Sequence, residues 1–485
     1  MKLNPLYLVI LLASGNTFAD TINVTDTVSL ANAVNSATCG DTISMANGNY
    51  RNVAFNARQT CTSVTPLRIA ALHPGLVSFT ENTNITLSGN GMVLSGINFK
   101  DGDRTKRADL ITVSGRNNRI TDNKFDDIDL AEGVWIKLNG RKNRVDHNSF
   151  TGKRSGASYI NIDVLPNVLS EHLVDHNYFN RPLLGKNGGS ASRVGHGSMH
   201  DFNARVIFEY NLFDQENGES EIISAKSSEN IFRYNTFNNS EGHLSLRQGK
   251  RSLVYDNYFL GSGKPKQGGL FIRGENHVIF NNYFANLTPH PKKTDFGTVS
   301  FGASSAQADP KRQALGVNPY HFPLTRNILF ANNTLVNSAN IAISVGAQYA
   351  LDDRKKRTKL PESLYLINNV ISKAPLVVKQ QPLATDINWL NNFYDQGESN
   401  TQGLIAHAMS SSANAASLVL PTVKDKKPAN LTPWIDKLNL DMDWSENANL
   451  IYRIKANTKI GFSIPLDQQG NPVLPLTKPQ VGPIW

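Results

Sequence analysis

A short motif, Asn-x-Phe led by a few β-branched or aromatic residues, returns through the middle of this chain and constrains its fold more than any other feature. It reads Asn118-Arg119-Ile120-Thr121-Asp122-Asn123-Lys124-Phe125, then Asn143-Arg144-Val145-Asp146-His147-Asn148-Ser149-Phe150. It recurs at Asn177-Tyr178-Phe179, Asn211-Leu212-Phe213, Asn235-Thr236-Phe237, Asn257-Tyr258-Phe259 and Asn282-Tyr283-Phe284. Weaker copies stand at Asn98-Phe99, Asn333-Thr334-Leu335 and Asn369-Val370-Ile371. Successive strong copies are separated by 22 residues (Asn235 to Asn257) to 34 residues (Asn177 to Asn211), the length of one solenoid turn. Each unit holds short alternating segments typical of strands, with almost no sustained helical period. A stacked corner Asn accounts for the motif: it adopts a left-handed turn and bonds its amide to the neighbouring coil. The Phe two residues on points the same way along its strand and stacks inside. The chain therefore reads as all-β, a right-handed parallel β-helix. A leucine-rich horseshoe is excluded, because its Leu-x-x-Leu-x-Leu frame is missing.

The stretch from Asn282 to Asn333 is about two repeats long. One coil around Gly297-Thr298-Val299-Ser300-Phe301 plus a loop carrying Asn318-Pro319-Tyr320-His321-Phe322 is expected there. Beyond about residue 400 the repeat fades, which suggests degenerate final coils and a cap over the last rung. At the other end, Lys2, the apolar run Leu6 to Ala13 and Thr17-Phe18-Ala19 have the order of a secretory signal over residues 1–19. A buried N-terminal helix is the competing reading. Export, to the periplasm or beyond, is the expectation, with residues 20–485 as one catalytic β-helix domain. No stretch is long and apolar enough to span a bilayer. The two cysteines, Cys39 and Cys61, form a disulfide in that setting or remain two buried thiols; they carry no zinc spacing.

The formal net charge is +9. For an exported protein this points to a polyanion, an acidic glycan before a membrane surface. No nucleic-acid recognition motif is present. The densest basic run, Arg354-Lys355-Lys356-Arg357, reads as a solvated loop.

One segment departs from the scaffold pattern: Asn217-Gly218-Glu219-Ser220-Glu221-Ile222-Ile223-Ser224-Ala225-Lys226-Ser227-Ser228. Glu219 and Glu221 are two apart, so a strand presents both carboxylates on one side. Such a pair repels unless a cation intervenes, and Ca²⁺ accepts oxygen ligands of this kind. Solvated surface glutamates are the plain alternative. Counted from its own corner Asn, Glu219 lies 8 residues on and Lys226 15; Arg247 lies 12 past Asn235, Arg273 16 past Asn257 and Asn187 10 past Asn177. All fall on a similar arc of successive turns, with rungs roughly 4.8 Å apart, and so should line one face.

Asn187-Gly188-Gly189, Glu219-Ser220-Glu221, Lys226-Ser227-Ser228 and Ser245-Leu246-Arg247 together resemble the polysaccharide lyase family of chondroitinase B and the alginate lyases, over about residues 90 to 400. The segment from Asn217 to Ser227 looks closest to the alginate-cleaving branch. The resemblance implies a poly(β-D-mannuronate) type of alginate lyase acting by β-elimination. It implies Ca²⁺ held by Asn187, Glu219 and Glu221, Lys226 as base and Arg247 as acid or leaving-group stabiliser. Arg193, Gln248, Arg273 and His277 are the candidate substrate-binding residues. Arg273 either meets a second uronate carboxylate or pairs with Glu275. Two positions depart from the family pattern: Ser190 stands where an acid is common and Gln248 where His is common, both placed at the substrate on this reading. His196, His200 and Asp201 read as loop residues rather than a metal site.

Alternatives from other classes stay open. A dermatan sulfate lyase of the chondroitinase B type would share the mechanism. An inverting glycosidase would need a carboxylate pair, for which Asp126, Asp127 and Asp129 are the candidates. A non-catalytic glycan-binding β-helix would need no Lys and Arg in phase. A monomer is expected, acting on an acidic polysaccharide, alginate first.

Overall fold

The computed structural model describes residues 19–485 except 105–107, 131–132, 186, 291–293, 306–307, 315, 317–318, 351–356, 400 and 414–416. The signal-like segment, Asn318 and most of the basic run at 354–357 therefore lie outside the described residues.

Each coil contributes three short strands to three long parallel sheets, of 14, 14 and 13 strands among the described residues. Chain order within a coil runs first sheet, corner, second sheet, third sheet: Arg119–Thr121, Lys124–Asp126 and Ile136–Leu138 make one such turn. Pairing steps by one whole coil in register, so Lys124 faces Ser149, Phe125 faces Phe150 and Ile136 faces Ile160. This is the right-handed parallel β-helix expected from the repeat.

The corner residues explain the register. Asn123, Asn148, Asn177, Asn211, Asn235, Asn257, Asn282, Asn333, Asn369 and Asn392 form one buried column. In each but the last, the backbone N–H and side-chain Nδ2 donate to Oδ1 of the next Asn, as from Asn177 to Asn211 at 3.0 and 3.1 Å. Nδ2 also donates back to a carbonyl of the preceding coil, Val145 O in that case, at 2.8 Å. Every amide is thus satisfied away from water, as burial demands. The left-handed conformation belongs not to this Asn but to the residue before it: Asp122, His147, His176, Tyr210, Tyr234 and Asp256 all have φ between 52° and 60°. A ladder Asn must aim its amide into the wall, whereas its predecessor turns the chain and throws its side chain outward. His147, His176, Tyr210 and Tyr234 accordingly stack outside the coil at 4.8 to 5.0 Å.

Inside, Phe99, Phe125, Phe150, Phe179, Phe213, Phe237, Phe259 and Phe284 stack with ring centroids 4.6 to 5.0 Å apart. That spacing is the rung spacing, so one aromatic per coil fills the core without a gap. The long gap between Asn282 and Asn333 is a single coil. Tyr283 pairs directly with Thr334, Val299–Gly302 supplies its third-sheet strand, and the connection from 303 to 325 carries one short helix, Pro310–Ala314, among its described residues.

The ends are closed differently. At the start, helix Thr27–Ser36, capped by Asp26, buries Leu30, Ala33 and Val34 over the first coil. Cys39 and Cys61 are joined there as a disulfide. At the other end, among the described residues, coil strands continue only to Leu404–Ala406. The expected run of degenerate coils stops there, because the chain turns back along the outside of the helix. Helices Thr432–Ile435 and Ser445–Lys455 pack Ile435, Leu450, Ile451 and Ile454 against Leu253, Val278, Phe280 and Leu329 of the first sheet. Arg453 pairs with Asp256 and Glu446 with Arg233 across that contact.

Candidate active site

The third sheet carries the site. Its strands Ser192–Val194, Glu221–Lys226, Gly242–Gln248 and Gln267–Ile272 are consecutive rungs. Ile223, Ala225, Leu244 and Leu246 point into the core. Alternation therefore turns Ser224 and Ser245 outward, in line with Arg193 and Phe271. Between the Glu221 and Arg247 strands the register slips twice, at Glu221/Ile223 and at Ala225/Lys226. The second slip leaves Arg247 as an extra residue, since Ala225 faces Leu246 and Lys226 faces Gln248. Bulges leave a residue unpaired in this way. Here Arg247 stays on the outward alternation of Ser245 without a ladder partner on the Glu221 strand, and its guanidinium pairs with Glu221 Oε1.

The outer surface of these rungs gathers two acids and three bases. Ser224 Oγ donates to Glu221 Oε2 at 2.6 Å, and Gly188 N donates to Glu219 Oε2 at 2.8 Å. Burial alone would raise Glu221, but Arg247, the Ser224 hydroxyl and Lys226 outweigh it and hold the carboxyl at about 2. Glu219 goes the other way: burial, helped by the like charge of Glu221, raises it despite the Gly188 bond, Arg193 and Lys226. Lys226 falls from 10.5 to about 8, through burial first and then through Arg193 and Arg247, with Glu221 and Glu219 opposing. A lysine at that value is a proton acceptor near neutral pH.

Asn187 is exposed in the turn Asn187-Gly188-Gly189, whose Gly188 amide reaches Glu219. Gly188 has φ of +103°, which favours glycine at that position. The donors at this corner, two carboxylates and an amide oxygen, are all hard oxygens. Glu219 is raised for want of a positive neighbour strong enough to offset its burial. Both facts fit a hard divalent cation, though among the described residues no three His, Cys, Asp or Glu side chains cluster to hold a metal. A cavity of about 310 Å³ opens beside this corner, lined by Asn187, Glu219, His243, Phe271 and Phe296. A second, also about 310 Å³, lies on the other side of Arg193 with Lys137, Asn161 and Asp109. The first cavity lies over the rungs of Glu219, His243 and Phe271 and the second over earlier ones, so a groove runs along the coil axis across the third sheet.

Other candidates fall elsewhere. His277 is fully buried, with one ring nitrogen at 3.0 Å from Arg273 O and the other accepting from Ser252 N, and burial holds it down at about 4. It is a wall residue, not a substrate ligand. Arg273 aligns with Arg247 but is 3% exposed. It donates to Ala303 O and Gln348 Oε1, while Glu275 pairs with Arg326 instead. Gln248 is buried and donates to His321 O at 2.6 Å; Ser190 is buried against Ser158 Oγ at 2.9 Å. The two departures from the family pattern therefore lie behind the groove surface. His200 sits 3.6 Å from Asp201 and touches Arg312. Asp126 and Asp127 pair with Lys124 and Arg154 on the second sheet, away from the groove. Sequence reasoning passed over His243, which faces Glu221 across the ladder and helps hold it ionised. Only the strand register could have found it.

Comparison with known proteins agrees with this architecture. The chondroitinase B family model matches residues 24–432. The PL6-family alginate lyase AlyGC superposes with a TM-score of 0.76 and 26% identity, covering 95% of this chain and 58% of that one. This chain thus spans under two thirds of AlyGC's length. A PL6-family polysaccharide lyase from Pseudopedobacter saltans aligns over 96% of this chain and 99% of its own, with a TM-score of 0.72 and 20% identity. A mannuronic acid specific family 6 lyase from human gut microbiota gives 0.70 and 20%, over 90% and 99%. No curated protein sequence matches. With the match extending over most of its coils, this chain belongs to the chondroitinase B family of polysaccharide lyases.

Proposed function

We infer that this protein is an exported alginate lyase that breaks mannuronate-containing chains by calcium-assisted β-elimination. The observation that carries the reading is Lys226. It is a lysine lowered to about 8, on a groove surface beside an Arg247–Glu221 pair. In the reaction, Lys226 Nζ takes the proton from C5 of a uronate. The C–H electron pair forms the C4–C5 double bond, the C4–O bond breaks, and the leaving oxygen takes a proton from solvent. Arg247, permanently charged, hydrogen-bonds that oxygen as its charge develops. Arg193, on the preceding rung, draws the substrate carboxylate toward Lys226. Asn187, Glu219 and Glu221 would hold Ca²⁺, which when bound neutralises the carboxylate next to the reacting carbon. The net charge of +9 suits a polyanionic substrate. Among the described residues, no helix is long and apolar enough to cross a membrane.

The test follows ultraviolet absorbance of the purified protein on alginate, on its mannuronate and guluronate blocks, and on dermatan sulfate. Rising absorbance on alginate, abolished in Lys226→Ala and Arg247→Ala, is the expected outcome. Dermatan sulfate is the second reading because the matching family model is named for chondroitinase B; a rise on that polymer alone would select it. Reducing ends without absorbance would mean hydrolysis and refute elimination.

A further inference from the structure

The connection 303–325 is long for a coil, and described residues at both of its ends and Arg312 within it are bonded to the body of the helix. Its neck is closed by Ser305 N donating to Phe322 O at 3.0 Å and by Phe322 N donating to Ser305 Oγ at 3.3 Å. From there it crosses several rungs. Arg312 donates to Gly197 O, on the coil of Arg193. His321 O accepts from Gln248 Nε2 at 2.6 Å, on the coil of Arg247. The neck places the Phe322 ring, 4% exposed, among three guanidinium groups. Arg273 lies 4.2 Å from its centroid, Arg357 5.2 Å and Arg247 5.9 Å.

Three like charges do not gather around one ring by accident of packing. Arg273 is pinned between Phe271 and Phe322 and bonded to Ala303 O and Gln348 Oε1. Arg357 donates to the same Gln348 oxygen. Both are buried. Arg247 is the member left facing the groove, and its side chain reaches Glu221. The ring's negative face and the two fixed guanidinium groups together restrict where the third can lie. Resting on the lyase reading above, we propose that Phe322 is a positioning residue for Arg247, and that the Gln248–His321 bond is the latch holding it in place. His321 and Phe322 are then a fixed wall of the active site. The Gln248 position acts on the reaction through Arg247 and not through substrate.

The experiment compares Phe322→Ala, Phe322→Leu, Phe322→Trp and Gln248→Ala with the wild type on alginate. Displacing a catalytic group by about 1 Å costs on the order of 100-fold in rate. The expected result is therefore a kcat lowered about 10- to 100-fold in Phe322→Ala and Phe322→Leu, with KM within about twofold. Phe322→Trp should recover most of kcat, since its face attracts cations more strongly, and Gln248→Ala should fall between. Wild-type kcat in Phe322→Leu would overturn the proposal, as would losses confined to KM. Crystal structures of the wild type and Phe322→Ala supply a readout independent of turnover: the Arg247–Glu221 pair should be present in the first and lost or displaced in the second. An unmoved Arg247 refutes the positioning role. A wild type without lyase activity refutes the lyase reading, and the crystal comparison still decides the placement of Arg247.

Discussion

The ionisation of Lys226 makes the most exacting prediction. A base must be neutral to act, so kcat/KM should rise with pH through the lysine's value and level off above it. With Lys226 at about 8, about a tenth of the enzyme is competent at pH 7, against less than about one part in a thousand for an ordinary lysine. Burial is the largest cause and Arg193 the leading charge that lowers it. Arg193→Met removes that charge and keeps most of the side chain's bulk. The ascending limb should then move up by about half a unit to one unit, which is a 3- to 10-fold loss at pH 7 that vanishes near pH 9.5. Arg193 also faces substrate, so the plateau height should fall as well, but the position of the limb reports Lys226 alone. Initial rates of absorbance gain at subsaturating alginate, from pH 6 to 10, separate the two effects. A lowered plateau with an unmoved limb would refute the coupling between Arg193 and Lys226. A wild-type limb centred above 10 would refute the perturbed lysine altogether.

Three further outcomes are expected. Dialysis against a chelator should suppress turnover and added Ca²⁺ restore it; calorimetric titration should show Ca²⁺ binding that Glu219→Ala weakens at least about 10-fold. Replacing Cys39 and Cys61 by Ser should destabilise the N-terminal cap by about 3 kcal/mol, read as a lower melting temperature of its calorimetric transition with lyase rates at 25 °C unchanged. Asn211→Ala removes an amide whose Nδ2 donates to Val174 O, Glu209 O and Asn235 Oδ1. It strands buried partners and should cost about 2 to 4 kcal/mol in denaturant melts, whereas Asn238→Ala, half-buried on the surface of the second sheet, should cost under about 1 kcal/mol.

The coil architecture was legible because each repeat writes two buried columns, Asn and Phe, at a fixed offset, and both are periodic in the sequence. The same columns supplied a phase, and that phase brought Glu219, Glu221, Lys226 and Arg247 onto neighbouring rungs. What phase could not supply was side-chain direction. Arg273 shares a rung position with Arg247, yet Phe271 and Phe322 fold it into the wall. His277 faces inward because the corner after Arg273 turns the chain, with Gly274 at φ +102°. The loop 303–325 was visible as surplus length, but its partners are far apart along the chain, and no local pattern announces a bond from Gln248 to His321. The C-terminal segment was legible only in part for a similar reason: loss of the repeat signals that coiling is ending, not where the chain goes next.

Where it goes has a mechanical consequence. A stack whose rungs touch only their neighbours can fray from either end, one layer at a time. Here Asn332 Nδ2 donates to Lys459 O, Ser463 N to Asn281 Oδ1 and Tyr258 OH to Val473 O. Leu476 N then reaches Thr236, Gly482 N reaches His176 O and Trp485 Nε1 reaches Asp122 O. The tail is stitched to the column from late rungs back to early ones, with the Trp485 ring seated against Gly75. The tail ties the rungs from that of Asn332 back to that of Asp122 to one strap, so layers that would melt in sequence are made to melt as a unit, and the rungs bearing Lys226 and Arg247 sit in the middle of that lacing.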